Sequence, residues 1–126
     1  MSATTSTPRQ NLTGARQERP WGHWEILDRN DGYQVKRLTV LPRSRLSLQT
    51  HRHRSEHWLV VTGTATCLVG EMQSIARQGA HVFVPRGAVH RLGNRQDTIL
   101  EVIEIQLGTY LGEDDIVRLQ DDHGRA

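Results

Sequence analysis

The chain has 126 residues, which is enough for one domain with a single hydrophobic core and too few for two domains of ordinary size. Its 16 Lys and Arg residues are interspersed with 14 Asp and Glu, giving a net charge of +2 and no basic block that would indicate nucleic-acid binding. Because the sequence has neither an N-terminal signal segment nor a run of about 18 apolar residues that would span a membrane, we expect a cytoplasmic protein.

Residues 1–18 are rich in Ser, Thr, Gln and Arg and offer little to bury, so we predict a disordered tail followed by one domain over residues 19–126. Within that domain, short apolar or alternating runs separated by Gly, Pro, Asn and Asp are typical of an all-β protein. The predicted strands are 24–27, 33–41, 45–51, 57–62, 64–69, 73–76, 81–84, 90–92 and 99–107, and one helical turn is predicted at 113–118. Such a series of short strands indicates a jelly roll or a small barrel.

The predicted strand 45–51 alternates in polarity, with polar residues at its odd positions and Leu46 and Leu48 between them. One interpretation places the polar row in solvent and the leucines in the core. The other turns the strand round, so that Gln49 and His51 line a polar cavity and the leucines face outward. Alternation by itself does not decide between the two.

Three histidines and a glutamate follow within seven residues, at His51, His53, Glu56 and His57. His51 and His53 are predicted to share a strand face because side chains along a strand repeat every two residues. Two neutral imidazoles and a carboxylate would supply three positions on a divalent metal and leave room for water or substrate. A His-x-His pair alone is weak evidence, since surfaces also carry it.

A second cluster of turn and histidine residues lies downstream. Its fixed positions are Gly79, Pro85, Gly87, His90 and Asn94. Pro-x-Gly predicts a tight turn that brings His90 onto the next strand. The spacing of the whole cluster resembles the second sequence motif of the cupin family.

The first cupin motif is met by His51, His53, Glu56 and Gly63. Together the two motifs imply a cupin-type jelly-roll β-barrel, also called a double-stranded β-helix. They imply one divalent metal ion, with His51, His53, Glu56 and His90 as its ligands. Zinc is favoured by this ligand set, and manganese, nickel or iron would fit similar ligands. Because the turn before Glu56 is shorter than is usual in the family, either Glu56 or His57 completes the site.

More particular stretches, at 19–22, 35–40, 45–51, 53–58 and 108–118, resemble the isomerase domain of type II phosphomannose isomerases. This likeness implies a metal-dependent aldose–ketose isomerase that interconverts mannose 6-phosphate and fructose 6-phosphate, in the supply of polysaccharide precursors. It implies a phosphorylated sugar as the ligand. The alternative is a non-catalytic metal-binding sugar-phosphate module, or the partner of a separate pyrophosphorylase. A metal-dependent oxygenase is a third hypothesis.

A phosphorylated sugar requires a cationic contact, and arginine suits phosphate through its bidentate fork. Arg45 is the leading candidate, since it is predicted to share a strand face with Gln49 and the first histidine. Arg54 and Arg91 are further candidates because they lie beside the ligand segments. Gln49 is a candidate sugar contact or additional metal ligand.

Two residues are candidates for the catalytic proton transfer. Glu104 lies on one predicted face of strand 99–107 with Leu100 and Val102, and an inward carboxylate there would serve as a general base. Lys36 is the alternative.

Two further predictions concern assembly and the single cysteine. An outer apolar row of Leu46 and Leu48, with Trp21 and Trp24 nearby, predicts a homodimer, which is the commonest symmetric oligomer. Cys67 lies within an apolar run and is predicted to be a buried, unreactive thiol.

Overall fold

The computed structural model describes residues 13–123, which form twelve strands and one short 3-10 turn. In chain order the strands are β1 (Arg16–Arg19), β2 (Gly22–Asn30), β3 (Tyr33–Val40), β4 (Ser44–Arg45), β5 (Leu48–His51), β6 (Arg54–Thr62), β7 (Thr64–Val69), β8 (Met72–Arg77), β9 (His81–Val84), β10 (His90–Asn94), β11 (Leu100–Gly108) and β12 (Ile116–Gln120). The 3-10 turn spans Glu113–Asp115. Within this part of the chain, no helix is long and apolar enough to cross a membrane.

The strands pair into two antiparallel sheets that enclose one interior. Sheet A has the order β1-β2-β3-β11-β6-β9. Sheet B has the order β12-β5-β10-β7-β8, and β4 also pairs with β10. Inward and outward side chains alternate along the long strands, as the strand period of two requires.

The interior is apolar at one end and polar at the other, and strand register produces this division. On β11, Leu100 and Val102 are buried at one end and Glu104 and Gln106 at the other. The neighbouring strands follow the same gradient, since Leu100 pairs with Val40 whereas Glu104 pairs with Lys36 and Trp58, and Gln106 with Gln34 and Glu56. The sheets therefore align buried polar residues of three strands at one mouth of the barrel.

Large apolar side chains fill the rest of the interior and hold the sheets together, and the three tryptophans among them border the polar end. The buried core contains Trp21, Trp24, Ile26, Leu38, Val40, Trp58, Val60, Ala65, Cys67, Ala76, Val84, Leu92, Leu100 and Val102. Each fully buried large side chain contributes about 1.5–3 kcal/mol of transfer free energy. This packed core gives the polar mouth a rigid support.

Gly63 alone joins β6 to β7, and its backbone φ of 89° is one that residues with a side chain rarely adopt. A Cβ atom there would lie 2.8 Å from the carbonyl oxygen of Ile99. A glycine is therefore required for the tight connection that follows the histidine-bearing segment.

The all-β prediction is confirmed, and each predicted strand coincides with observed strand structure, with one correction. Residues 45–51 are not one strand, because β4 ends at Arg45 and β5 begins at Leu48. The predicted helical turn at 113–118 is a 3-10 turn followed by β12.

The boundary predicted at residue 18 falls inside β1, which pairs with β2. The chain is thus ordered earlier than its composition indicated, because this polar segment gains backbone hydrogen bonds at a sheet edge. Residues 1–12 of the predicted tail lie outside the described residues.

Three of the four residues predicted to form an apolar dimer face pack inside the chain instead. Trp21 and Trp24 are only 4% and 8% exposed and belong to the core. Leu46 packs against the same core. Leu48 is half-buried and is not part of that core. A homodimer could therefore not be formed by Trp21, Trp24 and Leu46, and it stays a prediction.

Candidate metal centre and cavity

Two histidines and a glutamate converge at the polar mouth. His51 ends β5, Glu56 lies on β6 and His90 begins β10, and one ligand atom from each lies within 4.8 Å of the others. His51 Nε2 is 3.0 Å from Glu56 Oε2, and His90 Nε2 is 3.7 Å from Glu56 Oε1. All three side chains are buried. Two imidazoles and a carboxylate form a donor set suited to zinc and similar divalent metals.

The Pro-x-Gly turn positions two of these residues. The N–H of Gly87 donates to the carbonyl oxygen of His51 at 2.9 Å, and Thr50 Oγ1 donates to the Gly87 carbonyl at 3.1 Å. The turn that leads into β10 is therefore bound to the end of β5. This connection brings His90 opposite His51.

The hydrogen bonding of His90 favours metal ligation. Its Nδ1 lies 3.0 Å from the Ala88 carbonyl oxygen, which can only accept, so Nδ1 carries the proton and Nε2 the lone pair. Nε2 is buried and has no hydrogen-bond partner among the described residues. Burial lowers the pKa of His90, which favours the neutral imidazole. A metal ion would satisfy this lone pair, and a backbone carbonyl on the other nitrogen is the usual support for such a ligand.

Arg54 fits between these ligands. Its guanidinium contacts Glu56 Oε2 through Nε at 3.2 Å and His51 Nε2 through Nη2 at 3.4 Å. Its Nη1 donates to the Gly112 carbonyl at 3.3 Å. Arg54 is only 3% exposed, so it is a buried cation fixed beside the candidate metal centre.

A second carboxyl group lies next to Glu56. The indole N–H of Trp58 donates to Glu56 Oε1 and to Glu104 Oε2, both at 3.1 Å. Gln106 Nε2 donates to Glu104 Oε1 at 2.8 Å, and Gln34 in turn donates to Gln106. Glu104 is thus held in the interior by a chain of amide and indole donors.

The environment separates the acidities of the two carboxyl groups. Burial alone would raise the pKa of Glu56, but its hydrogen bond with His51 and its charge interactions with both histidines hold that pKa well below its usual range. Burial, the negative charge of Glu56 and the hydrogen bond between the carboxyl groups raise the pKa of Glu104 well above its usual range. Two neighbouring carboxyl groups whose pKa values are displaced in opposite directions are a common arrangement in acid–base catalysis.

A small cavity of about 40 Å³, which we call the inner cavity, adjoins these groups. Gln49, Arg54, Glu56, Glu104 and Lys36 all line it. The Lys36 ammonium donates to Glu113 Oε2 at 2.6 Å and lies 3.9 Å from the ring centroid of Trp24. Burial would raise the pKa of Glu113, but the charge of Lys36 and the hydrogen bond it donates outweigh this effect and lower that pKa.

Five of the predicted site residues line this cavity, namely Lys36, Gln49, Arg54, Glu56 and Glu104. His90 lines a smaller neighbouring cavity that shares Gln49, Glu56 and Glu104 with the first, and His51 contacts Glu56. Gln49 is oriented by hydrogen bonds from its Nε2 to the hydroxyl and carbonyl oxygens of Ser47. Glu113, which closes the cavity, was missed, because it lies in a connecting segment whose acidic run gives no signal of where it folds.

His53 is not part of the cluster, contrary to the prediction. It follows the end of β5 in a bend, and its side chain is exposed. Asp115 accepts hydrogen bonds from the N–H groups of Arg52 and His53, at 3.1 and 3.0 Å, and fixes the bend. Alternation along β5 predicted that His53 would lie beside His51 in the cluster. Because the turn before Glu56 is short, Arg54 on the inward face of β6 takes that place instead.

His57 points to the opposite face of β6, where its Nδ1 lies 2.8 Å from His81 Nε2. The geometry thus selects Glu56, and not His57, for the cluster. The same alternation applies on β10, where Arg91 points away from the cavity that His90 faces. Arg45 is likewise outside the cavity, because the break between β4 and β5 interrupts the alternation that was expected to align it with Gln49.

Comparison with known proteins identifies the relatives of the chain. The chain matches the family model Mannose-6-phosphate isomerase C-terminal over residues 9–121. It is 49% identical over 108 residues to the xanthan biosynthesis protein XanB of Xanthomonas campestris pv. campestris, and 48% identical over 108 residues to the alginate biosynthesis protein AlgA of Pseudomonas aeruginosa. Each match covers 86% of this chain, and the chain spans only 23% and 22% of the lengths of those relatives.

Solved structures support the fold. The capsular polysaccharide assembling protein CapF of Staphylococcus aureus superposes with a TM-score of 0.71 at 18% identity, covering 83% of this chain and 34% of CapF. The cupin domain of Schizosaccharomyces pombe Cnp3 superposes with a TM-score of 0.66 at 10% identity, covering 68% of this chain and 60% of that domain. The predicted cupin-type jelly roll is confirmed.

Proposed function

The chain belongs to the family of mannose-6-phosphate isomerase C-terminal domains, and from this premise we propose that it interconverts mannose 6-phosphate and fructose 6-phosphate in the supply of polysaccharide precursors. The observation that carries the proposal is the pair Glu56 and Glu104. These two buried carboxyl groups share the indole N–H of Trp58, and their pKa values are displaced in opposite directions. A metal-binding module without catalysis has no need of the second carboxyl group.

His51, Glu56 and His90 are the residues that would hold a divalent metal ion, with zinc favoured and manganese, nickel or iron compatible. Such an ion supplies Lewis-acid stabilisation of negative charge that develops on a sugar oxygen. The unpartnered lone pair on His90 Nε2 supports this assignment. Gln49, which lines the same cavity, is assigned to a sugar hydroxyl.

Aldose–ketose isomerisation moves a proton from C2 to C1 through an enediol, with transfer of the O2 hydroxyl proton to O1. We assign the transfer of the carbon-bound proton to Glu104. The Glu104 carboxylate accepts this proton from C2, and the resulting carboxylic acid returns it to C1. A raised pKa makes the carboxylate form of Glu104 a stronger proton acceptor. The donors from Trp58 and Gln106 keep its oxygens in one orientation.

The phosphate of the sugar is assigned to Lys36 and Arg54. Both are buried cations, and their positive charges, together with that of Arg19, act on the carboxylate of Glu113. Glu113 thus occupies the place where these cations would bind a substrate phosphate. A volume of about 40 Å³ is far below the several hundred Å³ of ordinary ligand sites, so the segment that carries Glu113 must move to admit the sugar.

A coupled assay for fructose 6-phosphate formation tests the role of Glu104. We expect Glu104→Gln to lower turnover by about two to four orders of magnitude, the usual contribution of a general base, while metal affinity is retained. Glu101→Gln on the same strand is the matched control, because Glu101 lies on the opposite face of β11 and should keep full activity. Equal activity in the two variants would remove Glu104 from the mechanism.

The second candidate function is a non-catalytic metal-binding sugar-phosphate module, or the partner of a separate pyrophosphorylase. The buried guanidinium of Arg54, which contacts Glu56 and His51, favours it, since a fixed cation at the site can bind a phosphate group without any catalytic step. Binding of mannose 6-phosphate without turnover, with every divalent metal tried, would establish this alternative.

A further inference from the structure

A second cavity lies on the outer face of sheet B, separated from the metal centre by the thickness of β10. Its volume is about 380 Å³, within the range of small-molecule sites. Residues that define it are Arg43, Arg45, Arg91, Arg95, Leu48 and Leu68, and we call it the outer arginine groove. Cross-strand pairing explains its composition, because Arg91 pairs with Leu68 and Gly93 with Arg45 on one face of the sheet.

One carboxylate is shared by two of these arginines. Arg45 binds Asp122 in a bidentate manner, with Nε 2.6 Å from Oδ2 and Nη2 2.9 Å from Oδ1. Arg91 Nη2 lies 3.5 Å from the same Oδ1, which is a long contact. The fork-to-carboxylate geometry is the one that arginine also uses for phosphate. Asp122 therefore marks the position of an anion between the two guanidinium groups.

Arg91 is a buried cation whose carboxylate contact is weak. It is 9% exposed, and its shorter hydrogen bonds go to neutral oxygens, from Nε to the Leu46 carbonyl at 2.8 Å and from Nη1 to Gln120 Oε1 at 2.9 Å. A desolvated guanidinium is stabilised by a closer anion. An anion with more than two oxygens would satisfy Arg45 and Arg91 at once.

The rest of the groove accommodates more than an isolated ion. Gly93 has no side chain, and a Cβ atom at that position would lie 3.1 Å from the Cβ of Arg45, so glycine keeps the floor open. Leu48 and Leu68 provide aliphatic walls beside the arginines. The groove thus combines an anion position with an apolar wall.

We propose that the outer arginine groove is a second ligand site, which binds a small phosphate ester through Arg45 and Arg91 after displacing the carboxylate of Asp122. The proposal is independent of the isomerase function, because the groove and the metal centre lie on opposite faces of β10. It also explains why Arg45 and Arg91, expected from the sequence to bind phosphate, lie together and away from the cavity.

Isothermal titration calorimetry with inorganic phosphate tests the anion position in four proteins. Arg45→Gln should bind phosphate about ten- to a hundredfold more weakly than the wild type. Asp122→Asn should bind it more tightly, because the internal competitor is removed. Arg77→Gln, an exposed residue on β8 outside the groove, is the control and should leave affinity unchanged. Thermal melting confirms that each variant is folded.

Opposite effects of Arg45→Gln and Asp122→Asn support the site, since a purely structural ion pair would not raise phosphate affinity when Asp122 is neutralised. Equal phosphate binding by all four proteins, as binding in the inner cavity would give, overturns the proposal, and so does the absence of binding. Titration of wild type and Arg45→Gln with mannose 6-phosphate and AMP then separates a sugar from a nucleoside ester, because binding in the cavity beside the candidate metal centre is common to both proteins. An affinity for both esters no greater than for inorganic phosphate would overturn the ester assignment.

Discussion

The inner cavity and the outer arginine groove each hold a cation against a carboxylate of the C-terminal segment. Lys36 Nζ lies 2.6 Å from Glu113, and Arg45 Nε lies 2.6 Å from Asp122. The distances are equal, but the Lys36 side chain is 3% exposed whereas that of Arg45 is 47% exposed. Burial, and not distance, therefore decides what each pair contributes to stability and how it responds to change.

The largest expected effect is on metal affinity, and it distinguishes a histidine of the inner cluster from a histidine on the outer face of sheet A. His90→Ala removes a buried ligand, so we expect metal affinity to fall by about a hundredfold or more and isomerase activity to fall with it. His81→Ala removes a histidine on the outer face of sheet A and should change neither. Inductively coupled plasma analysis after dialysis against zinc measures the first quantity, and a similar metal loss in both variants would refute the assigned centre.

The next effect compares the two ion pairs by stability. Lys36→Met keeps a long side chain over Trp24 but removes the cation that is hydrogen-bonded to Glu113, so we expect a loss of about 1–3 kcal/mol in the free energy of unfolding. Arg45→Met breaks an exposed, water-screened pair and should cause little measurable change. Urea denaturation of both variants gives the comparison. If Arg45→Met proves as destabilising as Lys36→Met, burial does not distinguish the pairs.

The pH dependence of stability follows from the lowered pKa of Glu113. A carboxylate whose pKa is lowered by folding stabilises the folded state above its unfolded pKa, about 4.3 for glutamate, and this contribution disappears as the pH falls through the folded pKa. The difference in unfolding free energy between wild type and Glu113→Gln should be constant above about pH 5 and shrink at lower pH. A difference that persists unchanged in acid would mean that the charge of Glu113 is not its cause.

The smallest effect concerns Cys67, which lies in the core beneath the groove. Burial raises the pKa of its thiol to about 11, so little thiolate forms near neutral pH. We expect Ellman's reagent to leave Cys67 unlabelled in the folded protein and to label it rapidly in urea. Fast labelling of the folded protein would show that the groove opens through sheet B.

The sequence predicted much of the fold because turn residues and strand alternation are local signals. The cluster of His51, Glu56 and His90 was predictable, since the two motifs contain all three residues and the structure brings together the end of β5, the beginning of β10 and the first part of β6. His53 and Arg45 were misplaced for one reason, which is that alternation was extended across breaks in the strands. Arg91 was also misplaced, although its position directly after His90 on one strand already requires the opposite face of the sheet.

Other features depend on contacts between residues distant in sequence. Glu113 meets Lys36 across 77 residues, and Asp122 meets Arg45 across the same separation. Neither contact leaves a periodic pattern in the sequence. The polar chain from Gln34 through Gln106 to Glu104 likewise depends on the register of β3 and β11, which alternation alone does not determine.

The most direct test is the coupled fructose 6-phosphate assay on chelator-treated protein to which zinc, manganese, nickel or iron is restored one at a time. We expect turnover of mannose 6-phosphate to disappear with the chelator, to return with at least one metal, and not to return in His51→Ala. No turnover with any of these metals, in a folded protein that binds them, would contradict the isomerase and leave the sugar-phosphate binding module as the function.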